Sequence, residues 1–452
     1  MMSQLRRELS LFDLTMIAVG STIGSGIFLT PSLIAHQLQT PAWILLAWIG
    51  GGVMALTGAL TLSELGAMMP EAGGIYVYLT RAYGSLAGFL FGWAYFLVVN
   101  TGGIAALGIA FATYLGYIVP LGSAGITLVA VIGIVVLTAI NVFGVKAGGI
   151  FSDIFTVLKL AGIAGLIVVG FGWGSPSTTD FTAAPGSIPG GVSHAFSLAM
   201  VGVLWSIGGW QHATFTSAEA KNPQRNLPLA MILAAAIITF TYVLTVIALL
   251  FLMTPAQMAA SAHPAADAVG RVLGGAGGTA IALAVFISTF GTTGIYTLTA
   301  PRIYYAMATD GLFFRRVAQL HPRYRTPALA IIVQSAWAIL LILFWGTFEN
   351  LISYVVFTDW IFFAMAGASV FIFRAKEPNA VRPYRTAGYP WTPLFFVAVS
   401  LWFVVNTFIS RPDQAWAGIG FLAVGVPVYY AWRVRKEKQP LKSDVRGPTS
   451  DI

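Results

Sequence analysis

Long hydrophobic runs separated by short polar connections dominate this chain, in place of the alternating or one-face patterns of a soluble fold. Runs of about 20 apolar residues are long enough to cross the hydrocarbon core of a bilayer as helices. The sequence is 57% hydrophobic and only 9% charged, where a soluble domain carries roughly 25% charged residues. It therefore reads as an integral membrane protein, and unbroken runs rather than short alternating segments select a helical bundle over a β-barrel. Twelve spans are expected, at about 11–37, 41–66, 84–117, 123–143, 149–171, 191–218, 227–253, 275–303, 328–346, 350–373, 391–410 and 414–432.

The charges set the expected orientation. With the N-terminus in the cytoplasm, every Lys and Arg of the 24 lies on the cytoplasmic side except Arg271, Arg411 and Lys159, as the positive-inside bias requires. The net charge of +8 thus belongs to the membrane orientation, with the lipid bilayer as partner and no nucleic acid. Both termini are expected in the cytoplasm of a multi-pass plasma membrane protein. Arg6 and Arg7 precede the first run without a small-residue cleavage site, so that run is expected to stay. The chain contains no cysteine, which excludes a disulfide-linked subunit, thiolate catalysis and thiolate metal sites. His36, His194, His212, His263 and His321 show no metal-ligand spacing, and no phosphate-binding loop appears; neither a metal nor a cofactor is expected.

Two spans are interrupted. The first contains Gly20 to Phe28, GSTIGSGIF, and the sixth carries Ser206, Ile207, Gly208, Gly209 and Trp210 at its middle. Glycine costs about 1 kcal/mol against alanine inside a helix, and backbone freed at membrane depth needs a partner unless it lines a cavity. Simple close packing of helices is the competing reading of such glycines. Five spans separate the two breaks, so two five-span blocks would run in opposite senses through the membrane. Paired discontinuous helices in inverted halves point to a secondary transporter with a midplane site. The N–H groups around Ile23, Gly24, Ser25 and Gly26 suit a carboxylate. Carbonyls left at Trp205 and Ser206 suit an ammonium. Together these describe a receptor for an α-amino acid.

Other residues stand out by cost or position. Lys159 lies in an otherwise apolar run, and a lysine at that depth costs about 2.5–3.5 kcal/mol, so it needs a partner. The carbonyls of the first break are one candidate, and snorkelling to the interface is the alternative. Asp359 is a second intramembrane charge, with a proton site, a hydroxyl partner and a packing acid all open. Trp205 and Tyr296 are candidate lids or ordinary packed aromatics, and Asn100 and Thr101 are polar at depth, as ligands or as packing contacts. Glu64, Asp153 and Glu219 near span ends are expected in surface ion pairs, with a gate network as the alternative. A short surface helix is expected within 254–274.

At GSTIGSGIF (20–28), SELGAMMPEAGGIYVYLTRAYG (63–84), LWSIGGW (204–210), AEAKNPQRNLP (218–228) and LTAPRIYYAMATDGLF (298–313), the chain resembles bacterial amino acid permeases of the amino acid, polyamine and organocation superfamily, close to the L-type transporters and exchangers. The resemblance covers nearly the whole chain. It implies an all-α integral membrane protein with the LeuT-type fold: a first five-helix repeat over 1–171, an external loop over 172–190, an inverted repeat over 191–373, two further helices over 374–434 and a tail over 435–452. Helices 1 and 6 of the twelve would be discontinuous. It also implies that Thr22, Ile23, Gly24, Ser25 and Gly26 bind the substrate carboxylate, and that Trp205, Ser206, Ile207 and Gly208 offer carbonyls to the amine. Trp205 would be the aromatic gate, Tyr296 part of the occlusion pathway and Gly103 a substrate-facing position. Lys159 would stand where sodium-coupled cousins hold sodium. Ala218 departs from a common first glutamate and Gln211 from a common asparagine.

The expected function is sodium-independent transport of L-amino acids by alternating access, by a chain working as a monomer. Exchange is favoured over proton symport. Small or medium neutral amino acids are preferred as substrates, because no acidic residue is evident near the breaks to receive a distal cation. An amino acid-sensing receptor without transport is the alternative from another class, and an enzyme is not expected.

Overall fold

The computed structural model describes residues 7–143, 145–175, 191–345 and 348–438. Most of the expected external loop and tail, at 176–190 and 439–452, lies outside the described residues. The first span is split into α1 (Leu11–Thr22) and α2 (Gly26–Leu38), followed by α3 (Pro41–Met68) and the short α4 (Ile75–Tyr83). The third span begins as α5 (Ser85–Ala94), passes through a π-turn at Tyr95–Val99 and continues as α6 (Asn100–Ile118). Then come α7 (Ser123–Val142) and α8 (Val145–Trp173).

The second half repeats the plan. Its first span is split into α9 (Gly191–Ile207) and α10 (His212–Phe215), followed by α11 (Pro223–Leu252) and the short α12 (Pro255–Ala259). The chain continues through α13 (Pro264–Thr299), α14 (Pro301–Thr309), α15 (Ala328–Trp345), α16 (Phe348–Lys376), α17 (Trp391–Ser410) and α18 (Pro412–Lys438). Among the described residues, ten helical segments are long and apolar enough to cross a membrane, and two shorter apolar helices, Gly191–Ile207 and Ala328–Phe344, stand where the sixth and ninth spans are expected. The helix ends lie within a few residues of most expected spans. The eighth differs most, because α13 begins at Pro264 and enters its span through a kink at Gly274, where φ is +71°. The expected short surface helix is α12, closed by a reciprocal capping box between Thr254 and Gln257.

Helices five spans apart are packing partners. α3 packs extensively along α11, α6 along α13, α2 along α9 and α7 along α15. This pairing is what two superposable blocks of opposite sense produce when their first helices meet. Burial follows: α1, α2 and the α5–α6 span are covered along most of their length, whereas α7, α8, α17 and α18 leave most of theirs uncovered. The uncovered side chains of α7 are apolar, including Leu128, Ile132 and Val135, which suits contact with lipid tails. The broken helices thus occupy the centre.

Candidate functional site

The first break forms because Ile23, Gly24 and Ser25 leave the helix between α1 and α2. Carbonyls at this break find donors on neighbouring helices. Lys159 of α8 donates from Nζ to the carbonyls of Gly20 (2.7 Å) and Ile23 (2.8 Å) and to Thr292 Oγ1 of α13 (2.6 Å). Three acceptors match the three protons of an ammonium group, and Lys159 is 1% exposed. It therefore does not snorkel. The Tyr242 hydroxyl of α11 lies 3.0 Å from the Thr22 carbonyl and 3.1 Å from the Ser206 carbonyl. One phenol thereby touches both breaks.

The second break turns at Gly208 to Gln211, between α9 and α10. Gly209 has φ +127°, and a Cβ there would lie 2.6 Å from the Ser21 carbonyl oxygen. Glycine is required on both counts. Its own carbonyl accepts from Ser21 Oγ at 2.8 Å, and its N–H donates to Gln211 Oε1 at 2.8 Å. Gly26 is equally constrained, since a Cβ would fall 2.6 Å from Ser206 Cα. Thr30 Oγ1 and Ser206 Oγ add a 2.8 Å hydrogen bond beside it. The two interruptions are in direct contact across these glycines.

α2 opens at Gly26, so the first N–H groups of its first turn have no acceptor within the helix. They present the positive end of a helix dipole. Thr22 turns its hydroxyl back onto the Ala18 carbonyl (2.8 Å), leaving the backbone as the polar surface of this break. The Trp205 indole reaches Ser25 Oγ at 3.4 Å. Gly103 sits under Tyr296, where a Cβ would meet the ring at 2.8 Å. Residues of both breaks thus meet Lys159 of α8, Tyr242 of α11 and Thr292 of α13, with Gly103 of α6 and Tyr296 of α13 beside Trp205.

A cavity of about 20 Å³ lies beside the second break, bordered by Trp205, Gly208, Gly209, Gln211, Tyr296 and Asp359 among others. This volume suits about one water. A larger cavity of about 240 Å³ opens near the end of the bundle where α2 finishes, with Ser32, His36, Val201, Gly202 and Arg411 on its wall. α9 borders both spaces, the larger with Val201 and Gly202 and the smaller with Leu204 and Trp205.

Near the start of α1 and just beyond α10, buried ion pairs tie the chain together. Glu219 and Arg302 form a two-pronged ion pair with both N–O distances at 3.0 Å and neither side chain exposed. Leu9 pairs with Ala220 in a single parallel bridge, and the N–H groups of Glu8 and Leu9 both donate to the Glu219 carbonyl at 2.9 Å. Glu64 binds Arg374 and Arg382 at 2.7 and 3.3 Å and accepts from the Thr386 N–H at 2.7 Å. The surface pairs expected of Glu64 and Glu219 are thus buried ones. Their partners lie far along the chain, which sequence proximity does not reveal.

Several participants escaped sequence reasoning. Tyr242 is one tyrosine in an apolar run, and Tyr95 and Val99 reach the cavity only because the π-turn redirects that face. Such turns recur at functional sites. Thr101 Oγ1 donates to the Phe96 carbonyl at 2.7 Å within the same stretch. Asn100 binds Gln334 Oε1 at 3.1 Å, which joins α6 to α15 as packing contact. The premise that no acid stands near the breaks does not hold: Asp359 of α16 borders the cavity with Gly208 and Gly209.

Comparison with known proteins places this geometry. A family model described as "Amino acid permease" matches residues 9–431. The serine/threonine exchanger SteT of Bacillus subtilis (strain 168) is 32% identical over 435 residues, covering 96% of this chain and 98% of SteT. The b(0,+)-type amino acid transporter 1 of Mus musculus is 29% identical, over 92% of this chain and 85% of its own. The large neutral amino acids transporter small subunit 2 of Homo sapiens is 30% identical, over 94% and 80%.

Proposed function

The chain belongs to the amino acid permease family, and from that premise we propose that it is a sodium-independent exchanger of small to medium L-amino acids, working by alternating access. It is a multi-pass membrane transporter and not an enzyme. Amino acid transport is what the relatives' names state, and one of them, the serine/threonine exchanger SteT, is named for exchange. The observation that carries the reading for this chain is the contact of two unwound helix middles, with peptide groups of both gathered at one buried point. Such an arrangement grips the carboxylate and ammonium that all α-amino acids share, and leaves the side chain to the surrounding wall.

Sodium independence rests on Lys159. Its ammonium occupies the two carbonyls and the threonine hydroxyl that a small cation would need, so the positive charge is built into the chain. In this reading Thr22 to Gly26 hold the carboxylate and Trp205 to Gly208 the amine. Trp205 and Tyr296, side by side above Gly103, would swing to admit substrate into a cavity now too small for it. The orientation with both termini in the cytoplasm of a bacterial plasma membrane is supported by the distribution of Lys and Arg. Function as a single chain is part of the same proposal; the lack of cysteine rules out a disulfide-linked subunit.

Reconstitution into liposomes tests the exchange. Uptake of labelled amino acid should require unlabelled amino acid inside and ignore sodium. Uptake that follows an imposed pH gradient and is indifferent to internal substrate would replace exchange with proton symport, and saturable binding without flux would indicate a receptor.

A further inference from the structure

Asp359 is the one feature of the cavity that gripping an amino acid backbone leaves without a task. It projects from the middle of α16, is 8% exposed, and its Oδ1 is buried with no hydrogen-bond partner. Polar neighbours are at hand on the same wall, Gln211 and Tyr95 among them, yet that oxygen stays open. A carboxyl left partly unsatisfied at membrane depth is expensive, and such residues persist where a ligand completes them. Around it the wall is apolar or aromatic: Val355, Val356 and Trp360 from its own helix, Val99 from the π-turn.

We propose that Asp359 is the side-chain selectivity residue of the carrier, accepting a hydrogen bond from a donor on a short substrate side chain, either a hydroxyl or an ammonium. The inference rests on the carrier reading and deepens it. The backbone peptide groups of the two breaks take the α-carboxylate and α-ammonium, and α16 stands outside both breaks, on the wall that a side chain would meet. The apolar surroundings accommodate one or two carbons. The open Oδ1 then rewards a donor at their end and penalises its absence, since an aliphatic group placed there leaves the carboxyl unsatisfied in a dry site.

Threonine and valine have nearly the same shape and differ in that donor, which makes them the decisive pair. Proteoliposomes loaded with alanine take up labelled alanine, and external threonine, valine or 2,3-diaminopropionate competes. Wild type should be inhibited by threonine at a concentration about tenfold or more below that of valine. In Asp359→Leu the threonine-to-valine ratio of inhibition should fall to about one, read on whatever alanine exchange the variant retains. Asp359→Asn, which keeps an acceptor oxygen without the charge, should retain the preference for threonine and lose any for diaminopropionate. Equal inhibition of wild type by threonine and valine overturns the proposal whether or not any variant folds. So does a uniform loss of all substrates in a well-folded Asp359→Leu protein, which would assign Asp359 to the α-ammonium. Failure of wild type to exchange any amino acid overturns the carrier reading instead, so the two failures are told apart.

Discussion

At the scale of single residues, Lys159 shows how a costly residue announces its own role. A lone cation in an apolar run has to be answered by something, and the cheapest answer at that depth is a set of carbonyls that a broken helix has already released. Lys159→Ala would leave the Gly20 and Ile23 carbonyls with only Thr292 and the longer contact from Ser288 (3.4 Å), each lost donor costing about 1–3 kcal/mol. Exchange should fall at least about tenfold while substrate binding, followed by thermal shift across an amino acid panel, changes less; undiminished flux would remove the assigned role. Glycines 20 to 26 and 208 to 209 were legible for a related reason, since each is a recognisable expense in a helix. Tyr242 was not, because a tyrosine in a lipid-spanning run carries no periodicity to show which groups its hydroxyl meets. Asp359 was visible as a charge, but its neighbours come from the π-turn, α9 and α13, and no spacing along one helix encodes that meeting.

At the scale of elements, most boundaries could be read because bilayer thickness imposes length and because glycine, proline and capping residues mark the ends. The π-turn between α5 and α6 could not: one extra residue per turn changes which side chains face inward without changing composition. The α12 to α13 segment carries a pH-dependent element of its own. His263 stands against the rings of Tyr114 and Tyr117, at 5.3 Å from each, and its Nε2 is buried without a partner. Burial holds its pKa below the ordinary histidine value, with the Asp267 carboxylate and a Thr113 backbone contact acting in the opposite direction. The unfolded segment therefore binds a proton more readily than the folded one. Stability from this group is complete above about pH 6.5 and is lost as pH falls toward the lower folded-state value. Hydrogen exchange corrected for its intrinsic pH dependence should show residues 254–270 less protected at pH 5.5 than at 7.5. His263→Phe should abolish that difference.

For the whole molecule, one end is sealed by buried charge and the other is hollowed toward Gly202 and Arg411. In the alternating-access cycle proposed above, the Glu219–Arg302 pair belongs to the closed end, and its worth is measurable. Glu219→Gln leaves a buried guanidinium with half its partner gone and should destabilise the protein by about 3–5 kcal/mol, whereas replacing both residues by methionine should restore much of that loss. Melting temperatures of the single and double variants in detergent test this; equal loss in both would make the pair a mere packing unit. Two five-span blocks of opposite sense were legible from the two breaks alone, while this seal was not, because Glu219 and Arg302 are 83 residues apart and each taken separately looks like an interfacial charge.

The bridge between Leu9 and Ala220 fastens the start of α1 to the segment just beyond α10. Both half-helices are thereby harnessed to a common yoke, and neither can swing away while the other remains. In a protein with no native thiol, Leu9→Cys together with Ala220→Cys should therefore act as a chemical latch: oxidation should halt turnover, and dithiothreitol should restart it.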